Sequence, residues 1–205
     1  MIEQRTITTG PDLTFDALTA GPPNGPLVLL LHGFAESFHT WRSQVAALAA
    51  AGYRAVAPHQ RGYSPGARPD TADASNYEFD KLIGDAMNIA AACSQADRRF
   101  HLVGHDWGGS IAWGIADRAP ERLASLTVLS RPHPNAFNRA LALLDGDQRT
   151  AHGITRRFSI PTPPRGFSSM TRAGCAIGSR PTRCRTPRSS GTSPCSAMRL
   201  RWKPR

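Results

Sequence analysis

The run Val-Gly-His-Asp-Trp-Gly-Gly at residues 103–109 constrains the fold of this 205-residue chain more than any other stretch. An apolar, strand-like segment leads into the run, and a helix-like segment leads out of it. A reactive side chain between small residues predicts a strand–turn–helix corner so sharp that the central residue is forced outward. Gly104 and Gly108 suit that corner, because the helix must pack close to neighbouring backbone. We therefore expect Asp106 to stand at the tip of the turn.

The residue at this tip is a carboxylate, and a carboxylate is already ionised at neutral pH. It can therefore act as a nucleophile without a neighbouring base. The helix that starts behind Asp106 offers free N–H groups and the positive end of its dipole, which favour the charged form. The alternative role is an ordinary helix N-cap, which Asp also favours. The neighbouring motifs decide for the nucleophile.

Two further motifs follow predicted strands. Residues 31–37 read Leu-His-Gly-Phe-Ala-Glu-Ser, and residues 61–64 read Arg-Gly-Tyr-Ser. Chemistry in a parallel sheet gathers beyond the carboxyl ends of its strands, so both motifs are expected to converge on the Asp106 turn. We expect Arg61 to brace the strand-end loops, and Glu36 with Ser37 to begin a helix.

The first 130 residues alternate strand-like and helix-like patterns, which predicts an α/β fold with a mostly parallel sheet covered on both sides. Helical spacing begins at Phe38 and at Phe79, and the helix after the Asp106 turn is expected to end at or before Ala119, ahead of a proline. The predicted strands are Arg5–Thr9, Leu13–Leu18, Leu27–Leu31, Tyr53–Ala57, Phe100–Val103 and Leu123–Leu129.

The three motifs, in this order and each at a strand end, resemble the α/β-hydrolase superfamily in its Asp-nucleophile branch of epoxide hydrolases and haloalkane dehalogenases. The resemblance runs from about Pro26 to Ser130. It implies an α/β-hydrolase-type sheet of which this chain holds only the N-terminal half. Residues 1–135 would be that half-core, 136–164 the start of a helical cap, and 165–205 a basic tail.

The resemblance also implies a two-step hydrolysis of a small molecule, with neither a metal ion nor a cofactor. Asp106 would attack an electrophilic carbon to form an alkyl-enzyme ester, which a histidine-activated water would then cleave. The backbone N–H groups of Phe34 and Trp107 would form the oxyanion hole. Support of the loop and the turn would come from His32, Gly33, Gly104, His105 and Gly108.

The sequence departs from the family at several positions. Ala35 stands where the family often has proline. The last tyrosine of the sequence, Tyr77, comes before the predicted cap, so the cap contains no tyrosine. No residue of this sequence matches the family's catalytic histidine or its acid partner. That His133 takes the place of this histidine is a minor alternative. We therefore expect an epoxide-hydrolase-like chain that lacks these two groups. A haloalkane dehalogenase, with the Trp107 indole holding the halide, is the alternative within the family.

Charge is distributed very unevenly. Residues 1–150 contain 13 Lys and Arg and all 15 Asp and Glu, whereas residues 151–205 contain 12 Lys and Arg and no acid. One interpretation of the tail is a basic arm that binds nucleic acid, which would make the protein a non-catalytic binder. The other is out-of-frame or truncated sequence after about residue 165. The abrupt loss of acidic residues favours the second, and argues against a nucleic-acid partner.

Location and assembly follow from simpler features. The N-terminus is polar, no apolar run approaches the ~20 residues of a membrane span, and the four cysteines fit neither a zinc site nor a disulfide framework. We therefore predict a cytoplasmic protein without a membrane partner. A sheet that ends after six strands exposes an edge, which predicts a homodimer or aggregation.

Overall fold

The computed structural model describes residues 1–94 and 98–142. These residues form one six-stranded sheet in the order β1-β2-β4-β3-β5-β6. The pairs β1–β2 and β2–β4 are antiparallel, and the other three pairs are parallel. The strands are β1 (Glu3–Gly10), β2 (Leu13–Ala20), β3 (Leu27–Leu31), β4 (Arg54–Pro58), β5 (Phe100–His105) and β6 (Leu123–Leu129). The helices are α1 (Arg42–Ala50), α2 (Phe79–Cys93), α3 (Trp107–Arg118) and α4 (Pro134–Ala142), with short 3-10 turns at Phe38–Trp41, Pro65–Ala67, Ala74–Tyr77 and Pro120–Arg122.

The sheet is apolar on both faces at its centre. All five residues of β3 are buried, as expected for a strand inside a parallel sheet. Leu29 belongs to the core layer that α2 and α3 cover, while Leu30 belongs to the layer that includes Val45 of α1. The predicted α/β class is therefore confirmed, with helices on both sides of a mixed, mostly parallel sheet.

Most predicted elements are present with small shifts. The strands β3 and β6 have the predicted bounds, and α3 ends at Arg118, just ahead of Pro120 as expected. The helix predicted from Phe38 is divided, because a 3-10 turn precedes α1. Ser37 caps that turn as predicted, accepting the His39 N–H. The expectation for Glu36 was wrong, because its carboxylate turns back to the Gly33 N–H.

The last described elements are β6, at an edge of the sheet, and α4. The helix predicted over 136–144 begins two residues earlier, at Pro134. The rest of the predicted cap and the basic tail lie outside the described residues. Among the helices in the described part of the chain, none is long and apolar enough to cross a membrane.

Candidate active site

The turn between β5 and α3 has the sharp geometry that the sequence predicts. Asp106 lies at its tip with φ 47° and ψ −110°, a left-handed conformation that is strained for a residue with a Cβ. Its own N–H donates to the Leu129 carbonyl oxygen at 3.1 Å, and its carbonyl oxygen accepts the Ser110 N–H at 3.1 Å. Both bonds hold the backbone of the tip between β6 and α3.

The glycines around the tip are required by close backbone approach. A Cβ on Gly104 would overlap the carbonyl of Gly108, and a Cβ on Gly108 would overlap the Leu31 carbonyl oxygen. A Cβ on Gly33 would lie 2.9 Å from the Cβ of Asp106. These three glycines therefore allow α3 and the loop after β3 to meet at the Asp106 side chain.

The two backbone N–H groups predicted to form an oxyanion hole, those of Phe34 and Trp107, belong to the loop after β3 and to the start of α3. The Phe34 N–H donates to Oδ1 of Asp106 at 3.1 Å. Trp107 is the first residue of α3, where an N–H has no acceptor within its own helix. The next N–H, that of Gly108, donates to the His32 carbonyl oxygen at 3.0 Å and so ties α3 to the loop after β3. The Asp106 carboxylate therefore accepts one N–H from the loop after β3 and is followed by the first N–H groups of α3, which have no acceptor within that helix.

The loop that presents Phe34 is held by side chains whose roles sequence reasoning missed. Oε2 of Glu36 accepts the Gly33 N–H at 2.9 Å and lies 3.1 Å from Nδ1 of His105. The Tyr63 hydroxyl oxygen accepts the Ala35 N–H at 3.1 Å, and Ala35 itself has a φ of 59°. Both side chains belong to the recognised motifs, but only the folded structure shows which groups they contact.

His32 is buried beneath this loop, and both of its ring nitrogens form hydrogen bonds there. Its Nε2 accepts the Gln60 N–H at 3.3 Å, which leaves Nδ1 as the donor to the Gly33 carbonyl oxygen at 2.9 Å. Burial lowers the pKa of His32, so the ring is held neutral. This geometry favours the predicted supporting role over that of a base.

Arg61 forms a nearly buried ion pair with Asp85 of α2. Its Nε and Nη2 donate to the two carboxylate oxygens at 2.6 and 2.7 Å, and the two side chains are 10% and 8% exposed. Burial raises the pKa of the Asp85 carboxyl, and Arg61 lowers it in partial compensation. Arg61 therefore braces the loop after β4, as expected, through an acid that the sequence pattern did not reveal.

The surroundings of Asp106 are aromatic and open. The Phe34 and Trp107 side chains are 66% and 42% exposed, so both can contact a bound molecule. His133 instead packs edge-on against Trp113, 4.8 Å between ring centroids, and its Nδ1 accepts the Asn135 N–H. Within residues 1–94 and 98–142, no three His, Cys, Asp or Glu side chains are grouped to hold a metal ion.

Comparisons with known proteins show which family the chain resembles. Residues 26–154 match the family described as alpha/beta hydrolase fold. The chain is 37% identical over 131 residues to AB hydrolase superfamily protein YfhM of Bacillus subtilis, covering 64% of this chain and 44% of that protein. It is 43% identical over 118 residues to epoxide hydrolase B of Mycobacterium tuberculosis, covering 57% and 32%.

A solved structure extends the likeness. The crystal structure of epoxide hydrolase VrEH1 from Vigna radiata superposes with a TM-score of 0.57 at 36% identity, covering 64% of this chain and 41% of that one. The chain thus spans less than half the length of the relatives it matches. With its family match, its sheet and its strained Asp106 turn, the chain belongs to the alpha/beta hydrolase fold family.

Proposed function

We propose that Asp106 is the nucleophile of an epoxide-hydrolase-like site that acts on a small molecule with an electrophilic carbon. The observation that carries this proposal is the strained, half-buried Asp106 with the Phe34 N–H bonded to its Oδ1. Backbone strain persists where the surrounding structure enforces it, and it concentrates at functional sites. An N-cap role alone requires no such strain, and the Asp106 side chain makes no capping bond to α3.

The hydrogen bond to Oδ1 suggests that the two carboxylate oxygens of Asp106 have different roles. Oδ1 is held by Phe34, so Oδ2 is the oxygen available to attack. In an epoxide, the attacked carbon–oxygen bond breaks, and the ring oxygen leaves as an alkoxide that takes a proton from water. Oδ1 then becomes the ester carbonyl oxygen. It carries the negative charge when water attacks the ester, and the Phe34 and Trp107 N–H groups are the donors that would stabilise that charge.

The water-activating groups are the part of the proposal that rests on the resemblance. In the described part of the chain, no histidine hydrogen-bonds to the Asp106 carboxylate. We therefore propose that this chain carries out the first half of the reaction, and that its ester accumulates. The names of the relatives that are called epoxide hydrolases support an epoxide as the substrate class.

Incubation with styrene oxide, followed by intact-mass measurement, tests this proposal. We expect one substrate mass to be added per chain, and Asp106→Asn to abolish the addition because an amide is a poor nucleophile. The asparagine nearly matches aspartate in size, so circular dichroism should confirm that the variant is folded. An unchanged mass in a folded wild-type sample would overturn the proposal.

One observation favours a haloalkane dehalogenase as the second candidate. The Trp107 side chain is partly exposed directly beside the nucleophile, where an indole N–H could hold a leaving halide. Incubation with 1-bromobutane separates the two candidates. Stoichiometric bromide release faster than styrene oxide labelling would favour the dehalogenase, and the reverse order the epoxide hydrolase.

The remaining predictions stay part of this proposal. They are the division into half-core, cap and tail, the cytoplasmic location, and a dimer through the edge of the sheet. The alternative of a nucleic-acid binder concerns residues outside the described part of the chain. A steep salt dependence of DNA binding, lost on removal of residues 165–205, would support that alternative.

A further inference from the structure

The residues that follow β6 lie beside the nucleophile. His105 and Leu129 are paired in register, and the Asp106 N–H donates to the Leu129 carbonyl oxygen at 3.1 Å. Ser130, the first residue after β6, therefore follows the residue that is bonded to Asp106, at the same end of the sheet. The two-residue segment Ser130–Arg131, which we name the β6 corner, continues from this point.

The β6 corner is strained in the same way as the nucleophile. Ser130 has a φ of 55°, and the non-glycine residues with positive φ in the described chain are Ala35, Asp106 and Ser130. Each follows a strand of the parallel part of the sheet, at its carboxyl end. Ser130 is also exposed, so neither core packing nor burial of its hydroxyl accounts for the strain. Strain that is shared with two residues of the site indicates a shared task.

Arg131 brings an uncompensated positive charge to this corner. It is partly buried, yet it forms no ion pair with any other residue that the structure describes. Its backbone carbonyl accepts the Trp113 Nε1–H at 3.3 Å, and a Cβ on Gly109 would lie 2.9 Å from the Arg131 Cβ. The residue is therefore packed against the first turn of α3, the helix that starts behind Asp106.

The guanidinium group also lies over an aromatic ring of α4. Its central carbon lies 6.0 Å from the centroid of the Phe137 ring on α4, within the range of a cation–π contact. A cation that is fixed in advance loses little entropy when it binds an anion, and a guanidinium matches a carboxylate with two parallel hydrogen bonds. The Ser130 hydroxyl is a further donor at the same corner.

From this arrangement we propose that the β6 corner binds the carboxylate of an anionic substrate, such as an oxirane carboxylate. The inference rests on the proposed function of Asp106 and names its substrate class. An anionic molecule is repelled by the ionised Asp106, so a site without a compensating cation would favour neutral epoxides. Arg131 supplies that cation from the end of β6, the strand whose Leu129 carbonyl oxygen accepts the Asp106 N–H.

Two epoxides of nearly equal size test the proposal. Glycidate carries a carboxylate on the oxirane, and glycidol carries a neutral hydroxymethyl group. With either probe an Asp106 oxygen bonds to a ring carbon, the carbon–oxygen bond breaks, and the ring oxygen takes a proton from water. The readout is the ratio of the two labelling rates, measured by mass. We expect Arg131→Met to lower the glycidate-to-glycidol ratio about 10- to 100-fold, the range for a charged hydrogen-bonded pair.

The controls separate this inference from the proposed function. Arg139→Met removes a neighbouring exposed cation on α4 and should leave the ratio unchanged. Ser130→Gly removes the hydroxyl while tolerating the positive φ, and should lower the ratio by less than Arg131→Met does. Suppose that glycidol labels the protein but Arg131→Met does not change the ratio. The proposal for the β6 corner would then be wrong, while the nucleophilic role of Asp106 would still be supported.

A binding measurement keeps the proposal testable if no epoxide reacts. Cyclopropanecarboxylate has the shape and charge of glycidate but cannot alkylate, and cyclopropanemethanol is its neutral counterpart. NMR titration should show that wild type binds the carboxylate more tightly than the alcohol, and that Arg131→Met removes this preference. Equal binding of both compounds to wild type would contradict the proposal. Failure of the epoxides alone would count against the nucleophile only.

Discussion

The interior of the sheet and its carboxyl end follow different physical rules. In the interior, β3 is a run of five buried apolar residues with ordinary strand geometry. At the carboxyl end of the parallel strands, the backbone turns left-handed at Ala35, Asp106 and Ser130. Apolar burial stabilises the interior with little dependence on which aliphatic residue of a given volume is used. The carboxyl end depends instead on single hydrogen bonds, single glycines and one buried ion pair.

This difference teaches where substitutions should be costly. A core position tolerates another aliphatic side chain of similar volume, at less than about 1.5 kcal/mol. A loop that carries strain tolerates little change, because each contact there holds a conformation that the chain would not adopt alone. Four predictions follow, in order of decreasing effect at neutral pH. The first three compare a variant at the carboxyl end with a matched variant elsewhere in the molecule.

The largest expected effect comes from the Arg61–Asp85 pair. Arg61→Met leaves a buried carboxylate without its cation, so we expect the free energy of unfolding to fall by about 3–5 kcal/mol. Urea unfolding measures it. The matched control is Arg118→Met, which removes an exposed partner of Asp80 and should cost no more than about 1 kcal/mol.

The pH dependence sharpens this first prediction. Burial already raises the pKa of Asp85, and the loss of Arg61 raises it further. Because a carboxyl with a raised pKa is destabilising only when ionised, the deficit of Arg61→Met should shrink as the pH falls through that pKa. A deficit that is small, or that does not change with pH, would show that the pair does not brace the loop.

The next effect concerns glycine at the close approach of α3. A methyl group on Gly108 would overlap the Leu31 carbonyl, so Gly108→Ala should cost about 3 kcal/mol through forced backbone shifts. A methyl group added to Gly84 in α2 would have no neighbouring atom within 4 Å, so Gly84→Ala should stabilise the helix by about 0.5–1 kcal/mol. Thermal unfolding of both variants would refute the comparison if their effects had the same sign.

A smaller effect separates two tyrosine hydroxyls. Tyr63→Phe removes the acceptor of the Ala35 N–H, and Tyr77→Phe removes a donor to the Pro69 carbonyl oxygen. Each should cost about 1 kcal/mol of stability, the usual worth of one hydrogen bond. Only Tyr63→Phe should also slow the labelling of Asp106 by an epoxide, because it loosens the loop that presents the Phe34 N–H. Equal labelling rates would contradict a positioning role for Tyr63.

The effect that is smallest at neutral pH is a pH dependence at His59. Burial, with repulsion from His32, lowers the pKa of His59 from its usual 6.5 to about 4. The folded state therefore resists protonation of His59, whereas the unfolded chain accepts the proton at its usual pKa. The contribution of neutral His59 to stability is complete above pH 6.5 and is lost as the pH falls towards 4. His59→Phe should flatten the fall of urea stability across this range. Parallel pH profiles for wild type and variant would exclude His59 as the cause.

The sequence predicted the regular part of the molecule well for a physical reason. Buried parallel strands such as β3 and amphipathic helices such as α2 are encoded locally, by the spacing of their apolar residues. The Asp106 turn was also predictable, because only small residues satisfy its packing. Neither inference needed knowledge of distant contacts.

The support around the site could not be predicted in the same way. Glu36 was expected at a helix start but turns back to Gly33 and His105, and Asp85 meets Arg61 from 24 residues away. Such partners depend on where loops meet in three dimensions, which composition and periodicity do not report. The β6 corner is a further case, since the strained φ of Ser130 has no signature in the sequence.

The most direct test of Asp106 as the nucleophile is to locate the covalent adduct by peptide mapping after incubation with an epoxide. We expect a single ester on the peptide that contains Asp106, absent from Asp106→Asn, while Cys93 and the other nucleophiles stay unmodified. Such a result would show that the carboxyl end of the sheet forms a working nucleophilic site. An adduct on another residue, or an Asp106 that stays unmodified in folded protein, would contradict the role of Asp106 as the nucleophile.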